Sequence, residues 1–265
     1  MRYKKFFDGT KIPVLGLGAC NIGVPEDLWT PKEIENMELL QSAIRMGYTH
    51  IDTAEGYSDG YSEILIWKAI QKFPREKVFI TTKVRKDHLW YNQVICALIR
   101  SLKRLKTDYI DLYLIHGYSS EIDISETIEA LTFLKKIGKI RNFWVSNFSK
   151  AQLIKAMKYT DEIAVNQIKL NYLQCNHQTK ELLKFCIQSK ILVMGYRPLL
   201  FWRYPKRHDI LSQTWKKYNK SVAQILLKWV IQQKWVVSIV KSTQKEHLRQ
   251  NLDIFDFTLP SWDLK

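Results

Sequence analysis

Four residues in the first half of the chain carry side chains that together could move a proton to or from a carbonyl oxygen. Asp52 and Tyr57 stand five residues apart in DTAEGY, Lys83 lies at the end of the run VFITTKV, and His116 follows IDLYLI. Singly, each has an ordinary reading: a lone Lys is usually a surface charge, and a lone His a satisfied structural group. Together they make chemistry. An ammonium beside a tyrosine hydroxyl favours the phenolate and lowers the phenol pKa, while a carboxylate beside the lysine keeps it charged and in place. An imidazole within reach of the same point can donate from one ring nitrogen and orient a carbonyl oxygen. The set predicts a phenol that gives a proton to a developing alkoxide near neutral pH. No spacing suggests a competing metal site: HxH and HxxxH are absent, and the four cysteines, at 20, 96, 175 and 186, are scattered.

These positions matter only if the fold gathers them, and the hydropathy pattern says how. Eight short apolar or β-branched runs, at 14–18, 49–52, 78–84, 110–115, 143–146, 163–168, 191–196 and 235–240, alternate with amphipathic stretches. Near-continuous apolar strands mark a parallel sheet covered on both faces. Thr30-Pro31-Lys32-Glu33 supplies a helix N-cap, a proline at the first position and a capping-box Glu. Ile34, Met37, Leu40 and Ile44 form its expected buried stripe, and Gly47 its stop. Ile124, Ile128, Leu131, Leu134 and Ile137 repeat the design up to Gly138, and Ser221 with Gln224 opens another helix with Ile225 and Trp229 inward. Eight β/α units without a composition break predict one α/β domain over residues 1–265, a (β/α)8 TIM barrel. KKFFDGTKIP predicts an N-terminal β-hairpin turning at Asp8-Gly9 and plugging the bottom of the barrel. An open doubly wound sheet would need a Gly-rich phosphate turn after the first strand, and Gly16-Leu17-Gly18 is only half of one. In a barrel, function lies at the C-terminal strand ends. Asp52, Lys83 and His116 fall there, as do Ser146-Asn147, Asn166-Gln167, Tyr196 and Lys241-Ser242-Thr243.

Composition removes whole classes. With 46% hydrophobic and 12% aromatic residues, the chain is not of a disordered or low-complexity type. Four cysteines without short spacings argue against a disulfide scaffold and for a reducing, cytoplasmic setting. The basic start lacks the apolar core of a signal peptide, and no run approaches a membrane span. The net charge of +15 invites a nucleic-acid reading. Segment 83–106 carries +6, but Val94, Ile95, Leu98, Leu102 and Leu105 recur at helical spacing there. Arg100, Lys103, Arg104 and Lys106 are therefore expected on a solvated helix face. Segment 203–220, at +5, stays open as a loop that attracts phosphate.

At this point the chain resembles a known family, the aldo-keto reductases, over essentially its whole length. HIDTAEGYSDGYSE is similar to that family's H-I-D-T-A-x-x-Y-x-N-E signature, and KRLKTDYIDLYLIH to its fourth-strand signature. VSNFS, VNQIKLN, GYRPLL and IVKSTQKEHLRQNLDIF match later blocks in the same order. The resemblance implies an oxidoreductase that exchanges a hydride between NADPH, with NADH also admitted, and a small-molecule aldehyde or ketone. It implies Tyr57 as general acid, Lys83 as its pKa partner, Asp52 as the acid paired with Lys83, and His116 as the substrate-orienting group. It also implies Ser146, Asn147 and Gln167 on the nicotinamide carboxamide, Tyr196 stacked on the ring and Leu199 near the pyrophosphate. Lys241, Ser242 and Thr243 would meet the adenosine phosphate, and Asn251 the adenine. Relatives that serve as nicotinamide-binding regulatory or structural barrels are the alternative, and the filled tetrad favours catalysis.

The departures are as informative. Where the family's last block has Arg and Glu, this chain has His247 and Gln250. Arg is a permanent planar charge, whereas an imidazole is mostly neutral at pH 7, so the NADPH preference leans on Lys241. Binding should tighten as His247 becomes protonated; Arg249, two residues on, is expected to point elsewhere. On the substrate side Cys20 stands where an aromatic is usual, and Gly117-Tyr118 where Trp-Pro is usual. The loop after His116 is short, and the sequence ends at SWDLK, where relatives continue into a specificity-setting tail. A shallow, open pocket is expected, with Cys20 on its rim, aromatic contact from Tyr118, Trp90 and Trp202, and broad specificity. Trp90 and Trp202 read equally well as core residues. A monomer or weak homo-oligomer, without nucleic acid or membrane partner, completes the expectation.

Overall fold

The computed structural model describes residues 1–6, 8–20, 22, 31–162, 165–199 and 217–260. Its centre is a closed barrel of eight parallel strands. They are β3 (Leu15–Gly18), β4 (His50–Asp52), β5 (Phe79–Val84), β6 (Ile110–Ile115), β7 (Ile140–Ser146), β8 (Val165–Lys169), β9 (Leu192–Tyr196) and β10 (Val236–Val240). Neighbours follow chain order, and β10 closes the ring on β3. The open-sheet alternative is excluded by that closure. Gly16 and Gly18 serve packing instead: a Cβ on Gly16 would lie 2.5 Å from His50 Nδ1, so the glycine admits the imidazole to the barrel interior.

Around the barrel run α1 (Pro31–Arg45), α2 (Tyr61–Ile70), α3 (Tyr91–Leu105), α4 (Ile124–Lys136), α5 (Lys150–Ala156), α6 (His177–Gln188), α7 (Val222–Gln232) and α8 (Lys245–Leu252). The Ser221–Gln224 capping box at α7 forms in both directions, with Ile225 and Trp229 buried. Two expected core stripes end differently from their pattern. Ile34 is 41% exposed, because the first turn of α1 instead buries Glu33 against Lys68 of α2, and Leu39, Leu40, Ala43 and Ile44 make the contact. Ile137 likewise lies exposed, past the end of α4.

The hairpin of β1 (Tyr3–Lys5) and β2 (Lys11–Pro13) pairs antiparallel, and Asp8 Oδ1 accepts from Thr10 N in its turn. It sits at the N-terminal end of the barrel. Phe6 packs edge-on to Phe79 at the start of β5, and Ile12 is fully buried. The Lys4 ammonium donates to the carbonyls of Ile231, Gln233 and Val236, where α7 turns into β10. The hairpin thus closes the floor, and the expected site residues lie at the opposite mouth.

Candidate active site

Asp52, Lys83 and His116 stand at the C-terminal ends of β4, β5 and β6, which are neighbours in the ring. Beyond the strand ends, the ladder is extended by Ala19 N to Asp52 O, Thr53 N to Thr81 O, Glu55 N to Lys83 O and His116 N to Val84 O. The rim of the mouth is therefore tied into the strand ladder. Lys83 is fully buried, and its ammonium donates to Asp52 Oδ1 and to Thr53 O, both at 2.7 Å.

Tyr57 arrives on a strained turn. Ser58 and Asp59 both hold left-handed conformations, with φ of 49° each, and Gly60 follows at +89°. The turn sets the Tyr57 ring edge-to-face with His116, centroids 5.6 Å apart, and 5.1 Å from the Lys83 ammonium. Burial, and next the Lys83 charge, hold the His116 pKa down to about 4, so the ring is neutral at physiological pH. For Tyr57 the balance corrects the expectation of a lowered phenol pKa. The Lys83 charge is the strongest single influence and lowers it, but burial, Asp52 and Cys20 together raise it above the ordinary tyrosine value. The phenol is thus held as a donor. Lys83 itself is depressed by burial, yet Asp52 and Tyr57 keep it above the usual lysine value, so it remains a cation.

Behind this group lies a second cluster. Ser146 Oγ donates to Gln167 O and accepts from Asn147 Nδ2, and Asn147 Oδ1 accepts from the Tyr196 hydroxyl at 2.9 Å. Asn147 takes φ +63°, a conformation Asn tolerates better than most residues. Gln167 Nε2 reaches Asp52 Oδ2 at 2.6 Å, so the two clusters are one network. Gln167 Oε1 accepts from no described residue and is not among the polar atoms sealed from solvent. A half-buried aromatic face at Tyr196 and an open amide oxygen at Gln167 fit a planar ring bearing an N–H donor, such as a nicotinamide.

The remaining expected residues are more dispersed. Lys241, Ser242 and Thr243 precede the N-terminus of α8, where backbone N–H groups favour an anion, and Lys241 and Thr243 are exposed. Ser242 Oγ accepts from Gln244 N. His247 is half-buried, and Arg249 pairs outward with Glu246. Asn251 is buried beside the Tyr48 hydroxyl. Leu199 packs partly against the core. Cys20 lies near enough to Tyr57 to act on the phenol. Tyr118 packs edge-on to Phe148 and accepts from Lys155. Trp90, 46% exposed at the start of α3, is not a core residue. Trp202 and most of the basic segment 203–220 lie outside the described residues.

Sequence reasoning missed the buttress behind the turn. Glu63 is fully buried; it accepts from Thr82 Oγ1, next to Lys83, at 2.6 Å and from Arg104 Nε at 2.5 Å. Arg104 therefore does not lie on a solvated face, which corrects the reading of the helical pattern. A Glu six residues after Tyr57 was the available signal, but alone it does not name its partner.

Comparison with known proteins agrees with this geometry. The sequence profile of the Aldo/keto reductase family matches residues 14–265. The chain is 34% identical to a glyoxal reductase of Bacillus subtilis (strain 168), covering 98% of this chain and 89% of that protein. Among solved structures, a thermostable aldo-keto reductase, Tm1743, in complex with the inhibitor epalrestat, superposes with a TM-score of 0.94 at 38% identity, covering 100% and 97% of the two chains. An aldo/keto reductase from Klebsiella pneumoniae in complex with NADP and acetate gives 0.89 at 31% identity, covering 98% and 91%.

Proposed function

The chain belongs to the aldo/keto reductase family, and from that premise we propose that it reduces the carbonyl of a small aldehyde or ketone with NADPH, reversibly, as a single barrel domain. The observation that carries the reading is the buried Asp52–Lys83 pair beside Tyr57 and His116 at the barrel mouth.

Tyr196 and the Ser146–Asn147–Gln167 cluster would hold NADPH, which would supply a hydride for the carbonyl carbon. Tyr57 gives its hydroxyl proton to the carbonyl oxygen, leaving a phenolate. Lys83 holds that phenolate by charge, and Asp52 with the Thr53 carbonyl holds Lys83. His116, neutral, orients the carbonyl oxygen from one ring nitrogen. Leu199 would lie toward the pyrophosphate; Lys241, Ser242, Thr243 and His247 would face the adenosine phosphate, and Asn251 would support the adenine end. Cys20, Trp90 and Tyr118 border an open substrate pocket of broad specificity. Small dicarbonyls are the first class to try, since a similar protein is named a glyoxal reductase. On the same reading the protein is a cytoplasmic monomer or weak homo-oligomer that needs no nucleic acid.

The test is NADPH oxidation over a panel of glyoxal, methylglyoxal, simple aldehydes, ketones and sugars, with Tyr57→Phe alongside. Turnover by the wild type and a loss of about 10²–10⁴-fold in Tyr57→Phe are expected. Full rate in Tyr57→Phe would remove the assigned proton donor. NADPH binding without turnover on any member would favour a regulatory barrel instead.

A further inference from the structure

Asp52 directs its two oxygens to opposite walls of the barrel. Oδ1 accepts from Lys83 of β5, and Oδ2 from Gln167 of β8, which faces β4 diametrically across the ring. Asp52 and Gln167 are only 4% and 3% exposed. An ionised carboxylate accepts and never donates, so it can face only the NH2 end of the Gln167 amide. The Nε2 group also lies 2.9 Å from Met194 Sδ, so both of its hydrogens are committed inside the barrel. The amide oxygen is left for whatever occupies the mouth, and no described residue donates to it.

We infer that Asp52 is a positioning residue for the cofactor as well as for Lys83: it locks the Gln167 amide with its oxygen outward, so that the site selects a ring substituent that donates N–H. This rests on the cofactor reading above. One carboxylate then fixes both the ammonium beside the proton donor and the polarity of the cofactor pocket. A free amide could flip and accept either kind of substituent; this one cannot without setting its oxygen against a carboxylate.

Binding, not turnover, tests the inference. Dissociation constants would be measured by protein fluorescence for NADP⁺ and for its 3-acetylpyridine analogue, which has a methyl where the carboxamide has NH2. The wild type should bind the analogue about fivefold to tenfold more weakly, the usual contribution of one hydrogen bond. Asn147 Oδ1 already accepts from Tyr196, so the difference is not expected from there. Gln167→Leu should bind the two probes within about twofold of each other. Asp52→Asn made together with Lys83→Met leaves no unpaired buried charge, and frees the amide to flip. It should bind NADP⁺ but discriminate as little as Gln167→Leu. Wild-type discrimination retained in either variant overturns the inference. Absence of NADP⁺ binding in the wild type would instead reject the cofactor reading on which it stands.

Discussion

At the scale of single residues, charge state decides what each group can do. His116 and, below it, His50 are both held neutral: burial first, then the Lys83 charge, set their pKa values to about 4 and about 3. His116 should therefore contribute no limb to the pH profile of kcat/KM between pH 5 and 8. NMR titration, with His116→Asn to assign the ring signal, should place its midpoint near 4. The sign for stability follows. An unfolded imidazole takes a proton near pH 6.5, so below that value the unfolded chain binds more protons than the native one. Stability should fall as the pH drops from about 6.5 towards about 3, and His50→Leu should move the acid-unfolding midpoint to lower pH. Tyr57 gives the complementary prediction. Its largest lowering influence is the Lys83 charge, so Lys83→Met should raise the Tyr57 pKa further in the cofactor-free protein. Ultraviolet titration against a Tyr57→Phe reference would show this, and a downward shift would contradict the assigned pairing.

At the scale of elements, the buttress behind the Tyr57 turn makes a prediction of its own. Glu63 of α2, Arg104 of α3 and Thr82 of β5 join three elements at one buried carboxylate. A Cβ on Gly60 would lie 2.6 Å from Arg104 Nε, at a φ that L-residues avoid. Glu63→Leu strands Arg104 and should cost about 3–5 kcal/mol in urea unfolding; adding Arg104→Leu should recover much of it. Gly60→Ala should lower kcat as well as stability, because it displaces the turn that carries Tyr57. The same buttress shows where sequence reasoning ends. Strand runs were legible because both faces of a parallel sheet are apolar, and seven of the expected runs begin within two residues of a strand. The exception, 143–146, missed Ile140-Arg141-Asn142, whose polar residues interrupt the run. Asp52, Lys83 and His116 were legible as polar residues closing such runs. The Glu63–Arg104 and Asp52–Gln167 bonds were not, since each joins elements distant in sequence, and a helical period counts Arg104 only as polar.

At the scale of the whole molecule, the +15 charge has several destinations. Arg75 and Arg141 flank the Tyr109 ring at 4.3 and 4.0 Å and both reach Asp111, at the floor of the barrel. Lys106 lies 3.8 Å over Trp67, and Lys220 bridges Asp253 and Asp256. These cations belong to the architecture. Lys241 is different: it is exposed at the C-terminal mouth, just before α8, where a phosphate would meet both the ammonium and the helix N-terminus. A multiply anionic cofactor approaching a strongly positive protein should bind more weakly as salt screens the field, whose range falls to about 10 Å at 0.1 M. The NADPH dissociation constant is expected to rise roughly threefold to tenfold between about 20 and 200 mM salt. Lys241→Met should weaken binding at low salt and flatten that dependence, whereas Lys103→Met, on the outer face of α3, should leave it within about twofold. Isothermal titration at several salt concentrations separates the cases. Equal effects from the two substitutions would mean that net charge alone draws the cofactor in, and that Lys241 makes no contact with it.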